Sequence, residues 1–250
     1  MLITEQAANF ALNKADALTV ADVCIGVGYT GVKLSDGSGG CCYTIRGELG
    51  PKCGVIEGAG TLIGRPAADL IKMAISVKPA EASLGVATIN AVLNNSYSEA
   101  KNALDEMAVK AGDKIGIIGY FYPVVKRFQE TAADIYVFER HLTDDFLLPD
   151  WAENIYLPEC DVVVITGVTF INKTIDYVLS LCTKSKEIVI MGASTIMAPD
   201  ILKKYGVTLL AGSRVSDPDR LLKVIAQGGG GLDVLDCTEK LCLRLEDRRK

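Results

Sequence analysis

The sequence contains one histidine, His141, in 250 residues and one tryptophan, Trp151. His141 has no partner at a recognised metal spacing, and no histidine stands beside a nucleophile. The Gly-x-Ser-x-Gly elbow and the Gly-Lys-Ser/Thr phosphate loop are both absent, so the familiar hydrolase and kinase readings fall away. None of the eight cysteines (Cys24, Cys41, Cys42, Cys53, Cys160, Cys182, Cys237, Cys242) forms a Cys-x-x-Cys pair, which speaks against a zinc ribbon. Eight in 250 residues is too few for a disulfide scaffold, and they read as the thiols of a cytoplasmic protein. Cys41, Cys42 and Cys53 are the one local thiol group, but adjacent residues of a strand point to opposite faces. Cys237 and Cys242 read as core or edge thiols, because Leu241, Leu243 and Leu245 alternate like a strand. Positive charge is also scarce. Twenty-six Lys and Arg against 31 Asp and Glu give a net charge of −5, which makes nucleic acid an unsuitable partner. Met1–Gln6 carries no basic or apolar leader pattern. The longest uncharged stretch, 82–98, includes three asparagines and falls short of a bilayer span. The expectation is a cytoplasmic protein with no membrane partner.

What is present is a chain with 49% hydrophobic residues, enough to bury a substantial core. It has two grammars. From Met1 to about Ser98, a helix with periodic alanines (4–18) precedes a Val-rich segment (20–34), a Gly-rich turn and Cys41–Arg46, which together read as a short antiparallel meander. Pro66 and Pro79 then open two helices, over 67–77 and 79–94. From Lys114 onwards, buried β-branched runs recur at 114–118, 134–138, 161–165, 187–191 and 207–210. Helical segments fit between them at 124–131, 171–182 and 199–205, with others at 99–111 and 218–227. Strands covered on both faces lose polar alternation, and these spacings leave room for crossover helices, so the second half reads as an open parallel sheet. The expected division is an α+β domain over 1–97 and a Rossmann-like α/β domain over 98–250.

Gly26-Val-Gly28-Tyr-Thr-Gly31 matches the dinucleotide pattern by letter. The motif needs its last glycine to open a helix that presents amides to pyrophosphate. Here Val32–Ser35 runs at once into Asp-Gly-Ser-Gly-Gly, so a hairpin turn is the expected use.

Ligands of open α/β sheets sit beyond the carboxyl ends of the strands, and those ends carry a consistent chemistry here. Gly119-Tyr120-Phe-Tyr-Pro follows the first strand, as a close-approach turn or a packed aromatic one. Glu139 follows the second, where a carboxylate reaches a ribose diol or simply pairs with Arg140. Thr166-Gly167-Val-Thr169-Phe-Ile-Asn172-Lys-Thr174 follows the third, offering more polar groups than a helix cap needs. Gly192-Ala-Ser194-Thr195 follows the fourth. Ser216 and Asp217 precede Pro218 after the fifth, in the manner of a helix cap.

These stretches, with Met191-Gly-Ala-Ser-Thr-Ile-Met-Ala-Pro199 and Leu210-Ala-Gly-Ser-Arg-Val-Ser-Asp217, resemble the heavy-metal chelation domain family, whose activity is unassigned. The first half is similar to the domain that accompanies it, with a fold like the N-terminal domain of enolase. The resemblance implies a site between the two domains, and a role in making or handling metal chelators that does not itself place a metal on the protein. Carried over, it puts Gly119, Thr166, Thr169, Asn172, Ser194 and Asp217 in or near that cleft. Glu57 and Asn90 are candidates to reach across from the first half; the alternatives are a solvated loop carboxylate and a backbone-bonding amide. Glu57 and Asp217 are the expected catalytic carboxylates. Gly119, Tyr120, Glu139, Thr166, Gly167, Thr169, Asn172, Thr174, Gly192, Ser194, Thr195 and Asn90 are the expected ligand contacts. The expected partner is a polar small molecule, nucleotide-like or a metal chelate, either transformed or merely carried. An S-adenosylmethionine-dependent reading rests on Glu139 alone and lacks a Gly-x-Gly turn. The sequence names no cofactor or metal and leaves surface for a homo-oligomer.

Overall fold

A computed structural model describes residues 1–51, 54–98 and 101–245. In the first part, helix α1 (Ile3–Leu12) leads into a meander of β1 (Val20–Ile25), β2 (Tyr29–Leu34) and β3 (Gly39–Tyr43), then α2 (Ala67–Lys72) and α3 (Pro79–Leu93). The meander is an antiparallel three-stranded sheet in the order β1-β2-β3. The dinucleotide look-alike lies in its first turn, where the Gly26 N–H donates to the Tyr29 carbonyl at 2.8 Å. No helix follows the turn, as expected.

Helix α3 explains the long uncharged stretch of sequence. Twelve of its 15 residues are buried, so beyond its first turn, where Glu81 pairs with Lys78, it has no solvent face on which charge would be stable. β3 lies flush on it at Gly40, where a Cβ would stand 2.2 Å from the Ala87 carbonyl oxygen and the Ala91 nitrogen. At Gly85, on another side, a Cβ would come within 2.0 Å of the Ala74 nitrogen. Among the described residues no helix is long and apolar enough to cross a membrane.

The second part contains α4 (Ala103–Glu106), β4 (Lys114–Ile118), α5 (Tyr122–Phe128), β5 (Asp134–Glu139), β6 (Leu147–Pro149), α6 (Glu153–Tyr156), β7 (Val162–Thr166), α7 (Val168–Asn172) and α8 (Ile175–Leu181). It continues with β8 (Glu187–Met191), α9 (Pro199–Leu202), β9 (Leu209–Val215), α10 (Pro218–Ala226), α11 (Leu232–Leu235) and β10 (Thr238–Arg244). The seven-stranded sheet has the order β10-β9-β8-β7-β4-β5-β6. All neighbours are parallel except β10, which runs antiparallel to β9. From β4 the chain winds outwards through β5 and β6, then returns to the other side of β4 for β7 to β9. The order therefore reverses between β4 and β7, which makes a crevice at their carboxyl ends.

Several expected boundaries shift. The helix expected over 99–111 is only α4 within the described residues, and Glu99 and Ala100 lie outside them. The helix expected over 171–182 is two, α7 and α8, broken at Lys173, which adopts the left-handed conformation at φ 62°. The last parallel strand begins at Leu209 rather than Val207 and is longer than expected. β6 was not expected; it is three residues long and ends in proline, a suitable edge strand.

One large core joins the two parts, with Ala87, Ile89 and Leu93 of α3 in the same buried cluster as Ile165, Phe170 and Ile171. Directed polar contacts pin them together. Asn94 Nδ2 donates to the carbonyls of Thr195 (3.1 Å) and Ser213 (3.0 Å), while its Oδ1 accepts from Met197 N–H (3.1 Å). The Ile3 N–H at the start of α1 donates to the Asp176 carboxylate at 3.1 Å.

Candidate functional site

At the crevice lies a cavity of about 810 Å³, within the size range of small-molecule sites. Its floor is the carboxyl ends of β4, β5, β7 and β8, and its other wall is Tyr29, Tyr43 and the 45–48 turn after β3. Gly119 sits at φ +85°, and a Cβ there would meet Thr166 Cβ at 3.1 Å, so the two switch-point loops close tightly on each other. Gly167 makes a similar approach to the β8 loop, where a Cβ would lie 2.4 Å from the Thr195 nitrogen.

Of the residues expected from sequence, Gly119, Tyr120, Glu139, Thr166, Thr169, Asn172, Thr174, Gly192 and Ser194 line this cavity. Many of their polar atoms are already committed. The Gly119, Gly167 and Gly192 N–H groups donate to carbonyls of Phe138, Met191 and Ala211, extending the sheet ladder rather than facing a ligand. Thr169 Oγ1 donates to the Thr166 carbonyl (2.7 Å), Asn172 Oδ1 accepts from Thr174 (2.8 Å from its hydroxyl), and Ser194 Oγ accepts from Tyr43 N–H (2.9 Å). Glu139 Oε1 accepts from Tyr120 N–H at 2.8 Å, so this carboxylate braces the β4 turn.

Gly167, Thr195 and Asn90 stand behind the lining rather than in it. Asn90 is buried and donates to the carbonyls of Cys41 (3.0 Å) and Ala193 (3.5 Å), tying β3 to the β8 loop. Glu57 does not line the cavity; its side chain is 89% exposed and lies 3.6 Å from Lys78. Asp217 does not line it either, and caps α10 by accepting from Arg220 N–H at 3.0 Å. The geometry thus assigns both expected catalytic carboxylates local structural contacts, because exposure or capping leaves neither facing the cavity.

Apart from Tyr120 and Glu139, the cavity's aromatic and charged residues were not expected from sequence. The chain has 6 Phe, 9 Tyr and one Trp, and seven of these line this one cavity: Tyr29, Tyr43, Tyr120, Phe121, Phe138, Trp151 and Tyr177. Tyr29 and Tyr43 meet edge to face at 6.1 Å. The lone histidine, His141, lines it too, with Arg46, Glu48, Arg140, Asp150 and Glu153. Arg140 is paired with Glu48 and lies 3.7 Å from Asp150. Glu153 is only 6% exposed, and burial, reinforced by the nearby Asp150 charge and opposed by Arg140, pushes its carboxyl up to about 7. Behind the lining, Lys173 donates to the carbonyls of Ser76 (2.7 Å) and Ile171 (2.8 Å), and burial pulls its ammonium down to about 8. A helical pattern without glycine or proline gave no hint of this lysine's left-handed turn.

Residues 102–239 match the model of the DUF364 family, described as "Putative heavy-metal chelation", and residues 8–93 match that of DUF4213, which bears the same description. The chain belongs to the DUF364 family. Over 185 residues this DUF364 chain is 32% identical to an uncharacterized protein of Methanocaldococcus jannaschii, covering 71% of each. It is also similar to two crystal structures of DUF364 proteins of unknown function. The one from Pyrococcus horikoshii has 28% identity and a TM-score of 0.84, with 97% of this chain and 100% of that one covered. The other, from Desulfitobacterium hafniense, has 21% identity and a TM-score of 0.81, with 96% and 98% covered, and shares the fold.

The DUF364 chain offers a bare heavy-metal ion little. Among the described residues no three or more His, Cys, Asp or Glu side chains come together as a donor set. Cys41 and Cys42 lie buried on opposite faces of β3, in separate core clusters. Burial pushes the Cys41 thiol up to about 12 and raises Cys42 as well, whereas a thiolate is what binds metal. Cys53 lies outside the described residues.

Proposed function

We propose that the cleft between the two parts of the chain binds one small organic molecule, with a flat aromatic or heterocyclic portion and a polar, hydroxyl- or amide-bearing edge, of about nucleoside size. The observation that carries this reading is the concentration of seven aromatic residues, among them the only tryptophan and joined by the only histidine, on one cavity at the strand-order reversal. Such walls present π faces for stacking, while Asn172 and Thr166 at the β7 end supply polar edges. The family description connects the ligand with metal chelators, either as a precursor that is transformed or as a preformed chelate that is carried. The second reading is favoured by the lack of a donor set among the described residues, since a metal would then arrive inside its organic ligand. The antiparallel meander followed by α2 and α3 supports the enolase-N-terminal-like reading of residues 1–97.

The test is a native mass spectrum of the chain purified without chelators or a metal-affinity tag, paired with Trp151 emission. Trp151 is 65% exposed at the cavity, so a ligand stacking there changes the only tryptophan signal. The expected result is an organic mass lost on denaturation, whose re-addition shifts the emission, and whose binding is abolished by cavity-filling Thr166→Phe. An adduct that survives Thr166→Phe and leaves Trp151 emission unchanged refutes the cleft as its site.

A further inference from the structure

The charged groups of the cavity are unequal in number and in commitment. Four carboxylates line it, Glu48, Glu139, Asp150 and Glu153, against two guanidinium groups, Arg46 and Arg140. Arg140 is engaged by Glu48 and Asp150, and one oxygen of Glu139 is held by the Tyr120 amide. Glu153 is different. It is buried as a residue, its carboxylate oxygens stay accessible from the cavity it lines, and among the described residues no protein hydrogen bond or ion pair reaches them. Three charged or titratable groups face it: Asp150 from its own turn, Arg140 from beyond β5, and the buried Cys182 thiol after α8. None donates to it. A buried carboxylate without a donor is unfavourable as an ion until something supplies one.

We propose that Glu153 is the recognition point for a positively charged nitrogen on the ligand, an amidinium, guanidinium or protonated amine whose N–H groups complete its missing hydrogen bonds. This rests on the reading of the cleft as a ligand site and names the ligand's chemical class. The excess of negative lining charge attracts a cation, and the surrounding aromatic faces accept one by cation–π attraction. An amidinium attached to a flat ring satisfies both at once, because a planar N–H fork matches a carboxylate. Cation recognition of this kind strengthens as Glu153 ionises, so it increases with pH across neutrality.

The experiment titrates the full chain by calorimetry with benzamidine, and with benzamide, its neutral and nearly isosteric counterpart, at pH 8 and pH 5.5. A charge-assisted contact in a partly enclosed site predicts a preference for benzamidine of about tenfold or more at pH 8, shrinking at pH 5.5 and disappearing in Glu153→Gln. Glu153→Gln keeps the shape but removes the charge and turns one acceptor oxygen into an amide donor, so a folded variant loses the carboxylate fork; Glu153→Asp, which keeps the charged fork but retracts it, is expected to retain part of the preference. Equal binding of the two probes, or a benzamidine preference undiminished in folded Glu153→Gln, overturns the proposal. Binding of neither probe up to millimolar concentration also overturns it. The cleft reading fails separately, when a bound probe is indifferent to Thr166→Phe. A probe displaced by Thr166→Phe but blind to charge leaves the cleft standing and removes Glu153 from ligand choice.

Discussion

Glu153→Gln has a consequence for stability that needs no ligand. The carboxyl of Glu153 rises from the usual 4.5 to about 7 in the folded chain. Each tenfold change in proton affinity is worth about 1.4 kcal/mol, so the ionised form disfavours the native state by about 3 kcal/mol. A cavity-facing oxygen keeps some hydration, which makes that figure an upper limit. The sign follows from proton uptake. Between pH 4.5 and 7 the native state binds more protons at this position than the unfolded state, so stability from Glu153 is full below pH 4.5 and is lost as pH rises through about 7. Glutamine cannot ionise and is free of the penalty. Urea denaturation of both proteins at half-unit steps from pH 4 to 8.5 is therefore expected to give a difference near zero at pH 4 that grows in favour of Glu153→Gln and levels off above pH 7. Other titrating groups are common to both chains and cancel in the difference. A flat difference, or one in which wild type gains on the variant as pH rises, refutes the claim that burial destabilises this carboxylate.

Two further substitutions address how the cleft is held. Asn94→Ala strands the Thr195 and Ser213 carbonyls and the Met197 amide, all bonded by one buried side chain; a loss of about 3 kcal/mol or more in urea unfolding is expected, at about 1–3 kcal/mol per buried group left unpaired. Gly167→Ala is expected to cost about 1–3 kcal/mol by overpacking, since the glycine's φ of −59° suits alanine but a Cβ would press on backbone at the Thr195 nitrogen (2.4 Å), the Ser194 carbonyl carbon (2.6 Å) and the Thr195 Cα (2.9 Å); thermal unfolding monitored by circular dichroism measures the loss.

The parallel sheet was legible because burial on both faces removes polar alternation, which is why Lys114-Ile-Gly-Ile-Ile and Glu187-Ile-Val-Ile-Met announce themselves. β6 was not, since three residues ending in Pro149 carry almost no periodic signal. The site divided along the same line. Residues that follow directly on strand ends, such as Gly119, Thr166 and Ser194, could be found by asking what lies at each carboxyl end. Glu153 could not, because Asp-Trp-Ala-Glu-Asn reads as an ordinary solvated helix start. Its burial arises only when α6 folds against α8 and the end of β5. Thr169 and Asn172 were found for an incomplete reason: their short polar groups do stand at the cavity, yet the bonds they make are local.

The meander's role in the site follows from where charge and aromatic surface originate. The parallel sheet alone supplies a crevice open on one side, with polar loops largely committed to one another. Tyr29, Tyr43, Arg46 and Glu48 come from the antiparallel part, and the Glu48 carboxylate takes up the Arg140 guanidinium that would otherwise be available to neutralise negative charge elsewhere in the cavity. Glu153 is left without a donor partly for that reason. The first part of the chain therefore does more than cover the crevice: by engaging Arg140 and adding two aromatic rings, it helps set the charge and the surface chemistry of the cavity. On the proposed ligand reading, selectivity then rests on contacts spanning both parts, and Asn94, which holds α3 to the β8 loop, supports the shape of a cavity it does not line.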